Sequence, residues 1–179
     1  MPESDRERWD ARHAAVTGVV PMPPEALRGR EHLLPASGRA LDVACGRGPV
    51  AVWLASRGLT TDAVDVSPVG VAAGRESARA AGVEVGWSVH DLADGLPPSC
   101  AGPYAVVVCR RYRDPALYPA LIDVLAPGGL LVITVLSEVG DTGGSFRAAP
   151  GEPRAAFADL EHLVDVEGDG EATLVARRR

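Results

Sequence analysis

The chain has 179 residues, 46% of them apolar, and a formal charge of −6. That length suits one domain with a substantial core, and the acidic balance, with arginines scattered rather than striped, argues against a nucleic-acid surface. Lysine, asparagine and glutamine are absent, which rules out a Schiff-base lysine, a phosphate-loop lysine and a side-chain amide oxyanion donor.

The amino-terminal "MPESDRERWDARH" is charged and carries no apolar signal core, and within it "RERWDARHA" reads as a helix bearing Trp9, Arg12 and His13. The longest apolar runs, such as "GLLVITVL" at 129–136, fall well short of the roughly 20 residues that cross a bilayer. A cytoplasmic protein without a membrane partner is therefore expected. Cys45, Cys100 and Cys109 are odd in number and lack paired ligand spacing, so neither a disulfide nor a metal site is expected.

From residue 39 the pattern alternates strand and helix, as in a parallel sheet covered on both faces. "RALDVAC" is a short strand, Gly46-Arg47-Gly48 a tight turn, and "PVAVWLASR" a helix with Pro49 at its first position and Gly58 as its stop. "TTDAVDV" is the second strand; Ser67 caps the next helix, Pro68 starts it and Gly82 ends it. "EVGWSVHDL" holds the third strand, and after the loop "LPPSCAGP" the run "YAVVVC" at 104–109 is the fourth.

Asp114 is expected to cap, and Pro115 to start, a helix over "PALYPALIDVLA", with Pro119 close enough to its start to be tolerated and "PGG" at 127–129 closing it. "LLVITVLS" follows as a strand buried on both faces. Residues 138–153 read as a Gly-rich loop and candidate lid, "PRAAFADL" as a short helix, and "HLVDVE" and "EATLVARR" as a hairpin joined by Gly168-Asp169-Gly170. The terminal Arg177-Arg178-Arg179 is expected to be a solvated tail. The fold class is α/β: a Rossmann-like, doubly wound, mostly parallel sheet with a carboxyl-terminal antiparallel hairpin.

In such sheets ligands bind beyond the carboxyl ends of the strands. There lie the turn at 44–48, Asp65 after the second strand, placed to accept both hydroxyls of a ribose, and Asp91 after the third, within reach of an adenine edge. A dinucleotide fingerprint spaces its glycines G-x-G-x-x-G with no acid in the strand before them. Here the spacing is Ala44-x-Gly46-x-Gly48, and Asp42 stands two residues ahead. A carboxylate there repels a pyrophosphate and suits a ligand carrying an ammonium and a sulfonium, which S-adenosylmethionine does.

Together "LDVACGRG", "VDVS", "HDL" and "YRDPALYPALIDVLAPGGLLVITVL" resemble a class I S-adenosylmethionine-dependent methyltransferase over residues 39–137, within it the small enzymes related to tellurite-resistance and thiopurine methyltransferases. The resemblance implies residues 1–38 as a helical lid segment and 39–179 as the methyltransferase domain. It also implies that Ala44, Cys45 and Gly46 line the methionine part, Asp65 and Val66 the ribose, Asp91 and Leu92 the adenine, and Cys109 the path beneath the sulfonium. Trp9 and Arg12 are implied as lid contacts to the cofactor.

Ala44 departs from the family's usual first glycine, which is harmless if its backbone has ordinary strand angles. Arg110, Arg111 and Tyr112, with His13, are candidates for holding an anionic small-molecule acceptor, because an arginine fork suits carboxylates. No general base is required for a charged nucleophile, and no catalytic residue is assigned. The competing expectations are an NAD(P)-dependent oxidoreductase and a non-catalytic binding module, in a monomer or homodimer.

Overall fold

The computed structural model describes residues 4–141 and 143–179. Its elements in chain order are α1 (Asp5–Ala14), β1 (Arg39–Val43), α2 (Pro49–Ser56), β2 (Thr60–Asp65), α3 (Pro68–Ala81), β3 (Val85–Val89), β4 (Tyr104–Arg110), α4 (Tyr118–Asp123), β5 (Leu125–Leu136), α5 (Glu152–Ala156), β6 (Glu161–Gly168) and β7 (Glu171–Arg177). One seven-stranded sheet runs in the order β3-β2-β1-β4-β5-β7-β6, with β1 to β5 pairing in parallel and β7 antiparallel to both neighbours. This is the mixed Rossmann-like sheet expected from the sequence. Among the described residues, no helix is long and apolar enough to cross a membrane.

Strand alternation sends successive side chains to opposite faces and so divides the core in two. Leu41, Val43, Val107, Leu131 and Ile133 pack on one face with Tyr118, Leu121 and Phe157. Ala40, Val106, Val108 and Val132 pack on the other with Leu27, Val50 and Leu54. The signals at α3 act as read: the Ser67 hydroxyl accepts from the Gly70 amide at 3.0 Å, Pro68 opens the helix, and Gly82 ends it at φ +68°. The final hairpin turns on Asp169 and Gly170, both at positive φ, as a two-residue turn requires.

The expected helix from Pro115 begins three residues later. Asp114 instead closes a local turn, accepting from the Ala116 amide at 2.9 Å, and Pro119 has no N–H to bond the Pro115 carbonyl, so regular helix starts at Tyr118 with Pro119 in its first turn. "PGG" does not close α4 but lies in a bulge within β5, where the partner register jumps from Tyr104 to Val106.

Within the loop at 138–153, Arg147 donates to the carbonyls of Ser137 and Gly170 at 2.9 and 3.1 Å and pairs with Asp141 at 2.5 Å. Arg178 is no free tail either: its Nη1 donates to the Ile122, Asp123 and Leu125 carbonyls at the end of α4.

Candidate functional site

Beyond the carboxyl ends of β1 to β4 lies a cavity of about 380 Å³, within the roughly 300–1,000 Å³ usual for small-ligand sites. The turn between β1 and α2 forms its floor. Ala44, Gly46 and Gly48 take φ of +54°, +55° and +70°, which turns the chain sharply and leads into α2. Ala44 is therefore in the left-handed region and not at the ordinary strand angles expected of it. For an alanine, that conformation costs about 1–2 kcal/mol.

Asp65 is oriented entirely by backbone. One carboxylate oxygen accepts from the Gly46 amide at 2.7 Å and the other from the Ser67 amide at 2.9 Å, which ties β2 to the turn. Since a carboxylate offers about four acceptor sites, both oxygens keep capacity for a further donor. Asp42 lies deeper, 3% exposed, and accepts from the Ala51 amide of α2 at 3.0 Å. Burial pushes its pKa up to about 7, the Asp65 charge adds to this, and the Arg110 guanidinium and the Ala51 amide oppose it. Asp91 accepts from the Ala93 amide at 3.0 Å, capping the short 3-10 turn that brings Leu92 to the wall.

α1 forms the opposite wall with Asp5, Trp9, Arg12 and His13. The Trp9 and His13 rings stack with centroids 5.8 Å apart, and the Arg12 guanidinium lies 5.3 Å from the Trp9 ring centre. Burial lowers the His13 pKa, partly offset by the nearby Asp65.

After β4 come Arg110, Arg111 and Tyr112. Arg111, at φ +55°, places both Nε and Nη2 on one oxygen of Glu171, at 3.0 and 2.7 Å. Among the described residues Arg110 has no ion-pair partner, which leaves its fork available beside Asp42. Burial raises the Tyr112 hydroxyl pKa to about 12, so it stays protonated and able to donate.

The structure thus brings Trp9, Arg12, His13, Asp42, Ala44, Cys45, Gly46, Asp65, Val66, Asp91, Leu92, Arg110, Arg111 and Tyr112 around one space. Cys109 is the exception. Its side chain follows Val107 into the core, where the thiol, raised to about 12 by burial, donates to the Tyr112 carbonyl. Sequence reasoning missed Asp5, Arg47, Pro49, Val50 and Ala93 as lining residues. Arg47 stood inside the quoted turn, but only the docked α1 gives it a partner.

A family model described as a methyltransferase domain matches residues 40–129. A ubiquinone biosynthesis O-methyltransferase of Xanthomonas axonopodis pv. citri is 34% identical over 110 residues, 59% of this chain and 46% of that protein. A ribosomal protein L11 methyltransferase of Bordetella parapertussis is 35% identical over 125 residues, 68% of this chain and 39% of that protein. The chain therefore spans less than half the length of these curated relatives. Among solved structures, TehB from Haemophilus influenzae superposes with a TM-score of 0.73 at 19% identity, covering 87% of this chain and 62% of that one, a likeness of fold.

Proposed function

This chain belongs to the class I S-adenosylmethionine-dependent methyltransferases, and on that premise we propose that it methylates a small acceptor carrying an anionic group. The observation that carries the reading is the convergence of Asp42, Asp65 and Asp91 on one cavity around the glycine turn. These residues fit S-adenosylmethionine. Asp65 has acceptor capacity for two ribose hydroxyls, Asp91 and Leu92 suit an adenine, and Asp42 gains a cation that favours its ionised form. A pyrophosphate would instead meet that carboxylate, which argues against a dinucleotide.

When bound, the cofactor supplies a methyl on a cationic sulfur, already a good leaving group. The chain's own task is then alignment and exclusion of water, effects that supply roughly 7–11 kcal/mol in favourable cases. α1 covers the site with Trp9 and Arg12, while Arg110 and the protonated Tyr112 hydroxyl offer a fork and a donor to an acceptor's carboxylate or oxyanion. Arg111, committed to Glu171, contributes to the rim rather than to the grip. A neutral hydroxyl or amine acceptor would pass its proton to His13, whose neutral ring burial favours.

The test is transfer of isotopically labelled methyl from S-adenosylmethionine to a panel of phenols, thiols and small carboxylic acids, with ribosomal protein as a macromolecular control. Label in the small-molecule fraction, reduced by Arg110→Ala mainly through acceptor KM, is expected. Label on protein alone, or cofactor binding without turnover on any acceptor, would overturn the proposal.

A further inference from the structure

We infer that Asp10 is a positioning residue: through Ser67 it latches α1 over the cavity and couples closure of that helix to the carboxylate of Asp65. The inference rests on the cofactor site proposed above and adds residues that site does not include.

α1 presents no fully buried side chain; with only Trp9, Asp10 and His13 half-buried, apolar packing holds it down weakly. Its attachments are polar and few. One oxygen of Asp10 accepts from the Ser67 hydroxyl and, at 3.3 Å, from the Val69 amide in the first turn of α3. A carboxylate there meets the positive end of a 14-residue helix. Ser67 itself is fully buried, and its polar atoms are all engaged: the hydroxyl donates to Asp10 and accepts from Gly70, while its amide donates to Asp65 at 2.9 Å. The other oxygen of Asp65 holds the Gly46 amide. A continuous chain of hydrogen bonds thus runs from the helix, through Ser67 and Asp65, to the turn beneath the cavity.

Past Asp10, the carboxyl end of α1 is fastened to the same turn. Arg47, between the two glycines, donates through Nη1 to the His13 carbonyl at 3.3 Å and to that of Val16, while its own Nε is buried without a partner among the described residues. The His13 ring lies so close over Gly46 and Gly70 that a Cβ at either position would stand 3.0 Å from it. The carboxyl-terminal half of α1 is therefore tied to the two loops that make the floor, and once those ties break only the half-buried Trp9 and His13 rings resist its opening. Trp9 and Arg12 face the cavity only while α1 is docked. A helix held this way opens locally, at a free energy below that of global unfolding, and its opening governs ligand escape.

The experiment compares the parent chain with Asp10→Ala, Asp10→Asn, Ser67→Ala and the Asp10→Ala/Ser67→Ala double variant. Two readouts are taken: hydrogen exchange of the α1 amides in the free protein, and the dissociation rate of S-adenosylhomocysteine. Asp10→Ala is expected to remove α1 protection and to raise the off-rate by about tenfold or more, through loss of the two hydrogen bonds that its carboxylate accepts. The melting temperature should stay near that of the parent. Asp10→Asn, which keeps a carbonyl acceptor, should recover most of both signals. On the Ser67→Ala background, Asp10→Ala should cost clearly less than in the parent, because only the longer bond from the Val69 amide remains to be lost.

Unchanged α1 exchange and off-rate in Asp10→Ala, or fully additive effects in the double variant, would overturn the inference. If the parent chain fails to bind S-adenosylhomocysteine, the proposed function falls, and the exchange measurements on the free protein still decide the latch.

Discussion

Asp42→Asn separates the electrostatics of the site from its shape. The amide keeps an oxygen to accept from Ala51, so geometry is preserved while the charge is removed. In the folded chain the Asp42 carboxyl is raised from its ordinary 3.8 to about 7, chiefly by burial. At about 1.4 kcal/mol per tenfold in a protonation equilibrium, ionising it in place costs about 4 kcal/mol.

The sign follows from proton binding. Between pH 4 and 7 the folded state keeps a proton that the unfolded state has released, so Asp42 makes stability fall as pH rises through that range and then level off. Carboxylates that do not face Asp42 contribute equally to parent and variant and cancel in the comparison. The difference between the two proteins therefore isolates this group. Urea unfolding at pH 4 and pH 8 should show Asp42→Asn close to the parent at pH 4 and more stable by up to about 4 kcal/mol at pH 8. Affinity for S-adenosylmethionine should move the opposite way, falling in the variant, while in the parent it should strengthen from pH 6 to 8 as Asp42 ionises. A stability difference that is the same at both pH values would refute the reasoning.

Asp65→Ala removes a carboxylate that accepts two amides and, in the proposed complex, two ribose hydroxyls; calorimetry should show cofactor affinity lowered by about 10- to 100-fold with the fold retained by circular dichroism. Ala44→Gly relieves a left-handed alanine at φ +54° and should stabilise the protein by about 1 kcal/mol in denaturant unfolding. Gly74→Ala would normally favour a helix, but its Cβ would stand 2.4 Å from the Trp87 ring, so a loss of about 1–3 kcal/mol is expected, recovered in part by Trp87→Leu.

Where local chemistry decides structure, the sequence was readable. Ser67, Pro68 and Gly82 bound α3 because cap, fixed φ and left-handed stop each act within one turn of the chain, and strand-end acids fell together because parallel topology fixes which ends meet. What escaped reading depends on contacts between distant segments. Nothing in "GRG" indicates that Arg47 reaches the carbonyls of α1, and nothing in "ERWDARH" sets Asp10 apart from its acidic neighbours until α3 is packed beside it. The loop at 138–153 reads as a candidate lid because it is Gly-rich, and its sequence does not show that Arg147 finds carbonyl partners at Ser137, just past β5, and at Gly170 in the β6–β7 turn. Cys109 shows the remaining difficulty: alternation along β4 assigns it a face, but only the packed core shows that face to be turned from the cavity.

The central claim is that this acidic cavity takes a cationic nucleoside in preference to a pyrophosphate-bridged one. Calorimetric titration of the full chain with S-adenosylmethionine and with NAD tests it most directly. We expect one-to-one binding of S-adenosylmethionine that strengthens above pH 7, with no heat from NAD. Saturable binding of NAD, or no binding of S-adenosylmethionine at any pH, would contradict it.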